Sequence, residues 1–156
     1  FWPVSSPISK LKKCNVLAGD IFFTPSSETC DDIANSAVIM EDIPNCVYSY
    51  HIVRFRANKE KLFPIFGCYV LKTPQFYKQA YSLCEGSGQR YVISQDGFRN
   101  MKITVPADID EQRAIAGTLS VCDEELALLN KKLALLREQK KSLMQQLLTG
   151  KMRLKF

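Results

Sequence analysis

The chain has 156 residues, 46% of them hydrophobic and 24% charged, with 21 Lys and Arg against 16 Asp and Glu for a net charge of +5. That length fits one globular body plus an elongated element, and no apolar run reaches the ~18 residues a membrane-spanning helix needs. The moderate positive balance permits a polyanionic partner without demanding one.

The opening residues, Phe-Trp-Pro-Val-Ser-Ser, have neither the charged nor the apolar region of a signal peptide. With no initiator Met, the sequence is expected to be a piece of a longer chain or a trimmed one. Leu17 to Thr24 reads as a turn at Gly19-Asp20 leading into a short buried strand. Pro25 to Asp32 is expected as a polar loop, Ser36 to Met40 as a second short apolar run, and Asp42 to Asn45 as a turn. Val47 to Ala57 alternates in steps of two, which predicts one continuous strand with Arg54 and Arg56 on a single face. Leu62 to Leu71 and Gln75 to Leu83 read as two helices divided by Pro74. Glu85 to Arg90 is a Gly-rich turn before an extended Tyr91 to Ser94, Asp96-Gly97-Phe98 is another turn, and Met101 to Val105 is a last strand stopped by Pro106. Strands and helices mix without regular βαβ alternation, so the expected fold class is α+β.

The C-terminal third has a different grammar. Ile115, Leu119, Cys122, Leu126, Leu129, Leu133, Leu136, Lys140, Leu143 and Leu147 follow one another in alternating steps of four and three, and Lys140 is the only one of the ten that is not apolar. A 4-3 repeat over four heptads keeps a narrow seam facing a partner helix, which is the coiled-coil pattern. Asp108 and Glu111 have capping-box spacing at the start, and Thr149-Gly150 supplies a left-handed stop. Ile109 to Leu148 is therefore expected as one helix on the order of 60 Å long, too long to be covered by a body of about 105 residues. Acidic residues (Asp108, Asp110, Glu111, Asp123, Glu124, Glu125) fill its first half. Basic ones (Lys131, Lys132, Arg137, Lys140, Lys141, Lys151, Arg153, Lys155) dominate the second. That polarity favours an antiparallel neighbour of the same kind, although a solvated helix with a charge gradient accounts for it equally well. Leu119, Cys122, Leu126, Leu129, Leu133, Leu136, Leu143 and Leu147 are the expected partner-helix interface. One chain carries one such helix, so the seam partner is expected from outside this sequence. Val121, Leu128 and Leu135 lie off the seam and could meet a third helix.

Catalytic and metal-binding signatures are sparse. Six cysteines (Cys14, Cys30, Cys46, Cys68, Cys84, Cys122) form no C-x-x-C pair, and the lone His51 has no partner at ligand spacing. Most of the cysteines read as small buried hydrophobes of a reducing compartment, with no metal and no cofactor expected. No nucleophile elbow, Walker loop or dinucleotide fingerprint is present, and one histidine without clustered carboxylates disfavours acid-base catalysis. The segment Ser87-Gly-Gln89-Arg90-Tyr91-Val-Ile-Ser94 is the strongest candidate for nucleic-acid contact. Gln and Arg are the side chains that read adenine and guanine edges bidentately, and the glycines flanking Ser87 let backbone amides approach a phosphate. A plain turn with exposed polar residues explains the same stretch. Arg54, Arg56, Lys72, Lys78, Arg99 and Lys102 could contact phosphates or stand as solvated surface charges.

Gly19-Asp20-Ile-Phe, the Gly86-Ser-Gly-Gln89 turn leading to Ile93-Ser94, and Ile103-Thr-Val-Pro106 resemble a target-recognition domain of type I restriction-modification specificity subunits. The junction Glu111-Gln112-Arg113-Ala-Ile115-Ala116 and the ending Lys140-Lys-Ser-Leu143-Met-Gln-Gln-Leu-Leu148-Thr-Gly150-Lys-Met-Arg153 resemble that family's spacer helix. The resemblance spans nearly the whole chain, more closely in the last fifty residues than in the first eighty. It implies a non-catalytic module with a mixed recognition domain over 1–106 and a spacer helix with a basic tail over 107–156. It further implies that the module reads one half of a split duplex-DNA target, with Ser87, Gln89, Arg90, Tyr91, Ser94, Arg54 and Arg56 as DNA-contact candidates. The implied partners are adenine-methyltransferase subunits, restriction subunits in full systems, and a second specificity half joined by an antiparallel coiled coil, all in the cytoplasm. Complete members carry two domains and two spacer helices. One of each fits a half-subunit that homodimerises or the C-terminal half of a longer chain, and about 105 residues is short for a full domain of the family. The alternative from another class is a coiled-coil adaptor with a protein-binding body. A nuclease-methyltransferase fragment would need catalytic motifs that the sequence lacks.

Overall fold

A computed structural model describes residues 5–88 and 90–154. The elements run α1 (Ile8–Lys13), β1 (Asn15–Val16), β2 (Asp20–Phe23), β3 (Ser26–Ser27), a 3-10 turn (Cys30–Asp32), β4 (Ser36–Val38), β5 (Ile43–Val47), β6 (Val53–Arg56), α2 (Pro64–Val70), α3 (Pro74–Ser82), β7 (Glu85–Ser87), β8 (Arg90–Val92), α4 (Gln95–Asn100) and α5 (Ile109–Leu148). The class is α+β, with a long C-terminal helix. Three small antiparallel sheets have the orders β1-β5, β4-β2-β6 and β3-β8-β7. Compact units divide at Ala116 and Gly117, so the first two turns of α5 belong with the body.

The body is built on β2. Gly19, at φ +89°, makes the turn before it, and the Leu17 amide donates to Asp20 Oδ2 at 2.9 Å. Ile21 and Phe23 then point to the core and join Ile33, Leu62, Phe66, Leu71, Phe76, Ala80 and Ile93. Pro64 and Pro74 open α2 and α3, where the missing N–H costs nothing. Thr73 caps α3 through the Phe76 amide. In α5, Asp108 Oδ1 accepts from the Asp110 amide at 3.0 Å, so the cap runs through the aspartate side chain.

Several expectations need correction. The strand foreseen over Val47 to Ala57 is two strands, β5 and β6, separated by a turn at Tyr50-His51. Asp42 to Asn45 is not a simple turn: Ile43 to Asn45 lie in β5, and Asn45 takes φ +58° inside the irregular β1-β5 register. Asp96-Gly97-Phe98 belongs to α4, because Ser94 Oγ caps it by accepting from the Gly97 amide at 3.0 Å. Glu85 to Arg90 is a β-hairpin rather than a bare turn. Met101 to Val105 does alternate in burial but pairs with no strand among the described residues. The Gln79 side-chain amide stands in for one, accepting from Lys102 N at 2.9 Å and donating to Lys102 O at 2.7 Å. α1 was not foreseen. The cysteines are half-buried except Cys122, which is exposed. Burial, with the Cys30 thiol in hydrogen-bond reach, pushes the Cys84 thiol up to about 11.

Residues 117–154 form the second unit. Its helix runs to Leu148 without a break, and Gly150, at φ +73°, reverses the chain so that Met152 N–H donates to Gln146 O at 3.0 Å. Leu119, Leu126, Leu129, Leu133, Leu136 and Leu143 are all exposed along it, as are Val121, Leu128 and Leu135, while Leu147 is half-buried. No helix among the described residues is long and apolar enough to cross a membrane.

Candidate nucleic-acid interface

β7 and β8 pair as Glu85↔Val92, Gly86↔Tyr91 and Ser87↔Arg90, and β3 covers the other edge of β8. Gly86 takes φ +128°, and a Cβ there would lie 2.3 Å from the Arg90 carbonyl oxygen. A side chain there would collide with β8, so the glycine lets the two strands approach. Gly88, at φ +74°, turns the hairpin in open space. Ser87 and Arg90 stand opposite each other beside this turn, and both are exposed. The period of two sends Arg90 and Val92 outward and packs Tyr91 against the core. Gln89 lies outside the described residues.

The other candidates stand elsewhere or are already engaged. Ser94 is exposed but holds the α4 cap. Arg54 and Arg56 lie on β6, in a different sheet from the hairpin. Arg56 grips Asp20 through Nε–Oδ1 at 2.5 Å and Nη2–Oδ2 at 2.7 Å, with the Asp20 side chain 0% exposed and that of Arg56 39% exposed. Burial alone would raise the Asp20 carboxyl. The Arg56 hydrogen bonds, the Leu17 amide and the charges of Arg56 and Arg54 outweigh it and hold the carboxyl below its usual range. Arg54 donates to the Asn15 carbonyl at 2.9 Å and to the Lys13 carbonyl at 3.4 Å, with its guanidinium 5.1 Å from the centre of the Tyr48 ring. Lys72, Lys78, Arg99 and Lys102 are exposed, and Arg99 pairs with Asp96 at 2.7 Å.

Two residues whose roles the sequence did not disclose organise the body. For Asp20 the sequence shows a turn and the Gly19-Asp20-Ile-Phe motif, but not its full burial. Gln112 was noted only within a motif, yet its fully buried amide accepts from Phe63 N at 2.9 Å and donates to the carbonyls of Lys61 at 3.0 Å and Pro106 at 2.7 Å. A glutamine at the fourth position of an apolar-stepped helix, on the buried side, was the available signal. Among the described residues no group of three His, Cys, Asp or Glu could hold a metal ion. The hairpin can offer a guanidinium and a hydroxyl to an anionic or hydrogen-bonding surface.

The family described as type I restriction modification DNA specificity domain matches residues 4–138. The chain is 34% identical over 118 residues to the type I restriction enzyme MjaVIII specificity subunit of Methanocaldococcus jannaschii, covering 75% of this chain and 27% of that one. A second relative from the same organism, MjaX, is 26% identical over 140 residues, 89% of this chain and 32% of its own. The crystal structure of a type I restriction-modification system S subunit from M. genitalium matches with a TM-score of 0.60 at 19% identity, over 86% of this chain and 34% of that one. At that identity the likeness concerns the fold. The chain spans about a third of the length of these relatives. Because the family match runs through the body and most of the long helix, the chain belongs to the type I restriction modification DNA specificity domain family.

Proposed function

We propose that this chain is a non-catalytic DNA recognition module that reads one half of a split target and positions methyltransferase subunits, with restriction subunits in full systems, in the cytoplasm. The observation that carries the reading is the family match over residues 4–138, which takes in the hairpin and most of the long helix. Residues 1–106 act as the recognition domain and 107–156 as the spacer helix with its basic tail. Ser87 and Arg90 face the DNA at the hairpin tip, with Arg90 reading a guanine edge, and Gln89 is carried as a further contact on its residue type alone. Tyr91 supports them from the core side, and Ser94 holds the following helix in place. Leu119, Cys122, Leu126, Leu129, Leu133, Leu136, Leu143 and Leu147 dock a second specificity half as an antiparallel coiled coil. That half is a second copy of the chain or the other half of a longer one. Leu128, Leu135 and Val121 are left for a methyltransferase helix.

The test is duplex binding by the full chain across a salt series. A phosphate-contacting module loses affinity linearly in log salt, by about 0.9 per phosphate neutralised. A salt-independent or absent signal would favour a protein-binding adaptor.

A further inference from the structure

Residues 5–19 and 43–57 contain Lys10, Lys12, Lys13, Arg54 and Arg56 and no Asp or Glu at all. The fold brings these two stretches together. Asn15 pairs with Val47, the Tyr48 amide donates to the Cys14 carbonyl at 3.2 Å, and Arg54 reaches the carbonyls of Asn15 and Lys13. The last turn of α1, with its exposed Lys10, Lys12 and Lys13, therefore sits against the strand ends that carry the turn at Tyr50-His51. At that turn Tyr50 is 88% exposed, its ring 3.9 Å from that of His51, centre to centre. Below it Tyr48 lies between Phe22, at 5.2 Å, and the Arg54 guanidinium, so the base of the turn is braced by ring contacts. Asp20, opposite Arg56 in the β2-β6 pair, is neutralised by it. Glu41 and Asp42 stand at the opposite end of β5, where Asp42 accepts from the Ala18 amide at 2.8 Å.

Exposed lysines and a protruding aromatic pair, carried on two adjoining stretches that themselves lack carboxylates, suit a surface that offers both phosphates and flat apolar faces. We propose that this corner is a second DNA-contact surface of the body: Lys10, Lys12 and Lys13 seat on phosphates, and the Tyr50-His51 tip lies against sugar and base faces in a groove. The proposal rests on the DNA-recognition reading and adds to it residues separate from the hairpin. The lysines set register and affinity. The tip responds to groove width and to how easily the local step opens.

The test uses the full chain and a mixed-sequence duplex, with affinity followed by fluorescence anisotropy across a salt series. Arg90→Ala serves as the hairpin reference, and thermal unfolding checks that each exposed-site variant is folded. The Lys12→Ala/Lys13→Ala double variant should lower the log-log salt slope by about 2. Tyr50→Ala should lose about tenfold in affinity with the slope unchanged, as for one lost stacking contact, and Tyr50→Phe should retain it. Wild-type slope and affinity in both corner variants, while Arg90→Ala weakens binding, would overturn this proposal and leave the recognition reading standing. A wild-type chain with no salt-dependent duplex binding would overturn both. If the lysine variant loses slope but Tyr50→Ala binds as wild type, the groove role of the tip is overturned and the phosphate role holds.

Discussion

The backbone amide of Phe63, at the start of α2, donates to the side-chain oxygen of Gln112, in the first turn of α5. The same side chain donates to the carbonyls of Lys61 and Pro106, so one buried amide satisfies three backbone groups of the loops around it. Arg113 adds a guanidinium 5.6 Å from the centre of the Phe63 ring. Gln112→Ala strands those groups without water and should destabilise the body by about 3 kcal/mol. Gln112→Glu should be at least as damaging at neutral pH, since a carboxylate would face two carbonyl oxygens, and should partly recover on acidification. Urea unfolding of both variants checks this, and a loss below about 1 kcal/mol for Gln112→Ala would contradict it.

The Asp20–Arg56 pair is asymmetric in burial, and the two truncations should differ accordingly. Arg56→Ala leaves a carboxylate buried without its counter-ion and should cost about 3 kcal/mol. Asp20→Asn leaves a guanidinium that can turn to water, so it should cost less, about 1 to 2 kcal/mol. The folded carboxyl titrates below its unfolded value. Its contribution is therefore complete above the unfolded value of about 4 and disappears as pH falls through the lower folded value. Acid unfolding should show this loss in the wild type and not in Asp20→Asn. Equal costs for the two substitutions, or identical acid profiles, would contradict the assignment.

Gly86 and Gly88 both hold positive φ, but only Gly86 is crowded. Gly88→Ala should cost about 1 kcal/mol from the backbone alone. Gly86→Ala must also push away the Arg90 carbonyl, so the hairpin should open and amide exchange at Tyr91 and Val92 should rise well above that of Gly88→Ala. Comparable exchange in the two variants would show that the hairpin does not depend on the close approach.

An exposed leucine seam needs a cover, and single charges discriminate its two sides. Leu133→Asp should weaken pairing with a second specificity half at least tenfold, given ~1.5 to 3 kcal/mol for one buried leucine. Leu128→Asp should spare that pairing and reduce methyltransferase binding. Ultracentrifugation and co-purification separate the two effects. An unchanged association in Leu133→Asp would remove the seam from the interface.

The long helix was legible to the residue, because a 4-3 repeat bounded by Asp108 and Gly150 leaves little else for the chain to do. The division of α2 from α3 was equally plain, since proline at position one both stops and starts a helix. Alternation was a weaker guide. Val47 to Ala57 alternates throughout, yet Tyr50 and His51 make a turn, and nothing in a period of two reveals where a ladder reverses. At Met101 to Val105 the alternation correctly marked the buried side chains, but the hydrogen-bond partner was the Gln79 amide, which no local pattern discloses. The site was half visible. Gly-Ser-Gly marked a turn beside Arg90, but not that the turn closes a β-hairpin. Arg54 and Arg56 were correctly placed on one face, but their engagement with Asn15, Lys13 and Asp20 depends on long-range pairing. The lysines of α1 carry no signal in the sequence, because a six-residue helix leaves little periodicity to read.

The most direct measurement of the recognition role is adenine-methylation mapping of plasmid DNA from cells carrying this gene with its methyltransferase, against cells lacking it. A split motif methylated only when the gene is present, and lost in Arg90→Ala, is the predicted result. A palindromic motif would mean two identical halves, and an asymmetric one a second, different domain. Unchanged methylation in cells that express the full-length protein with its methyltransferase would contradict the account.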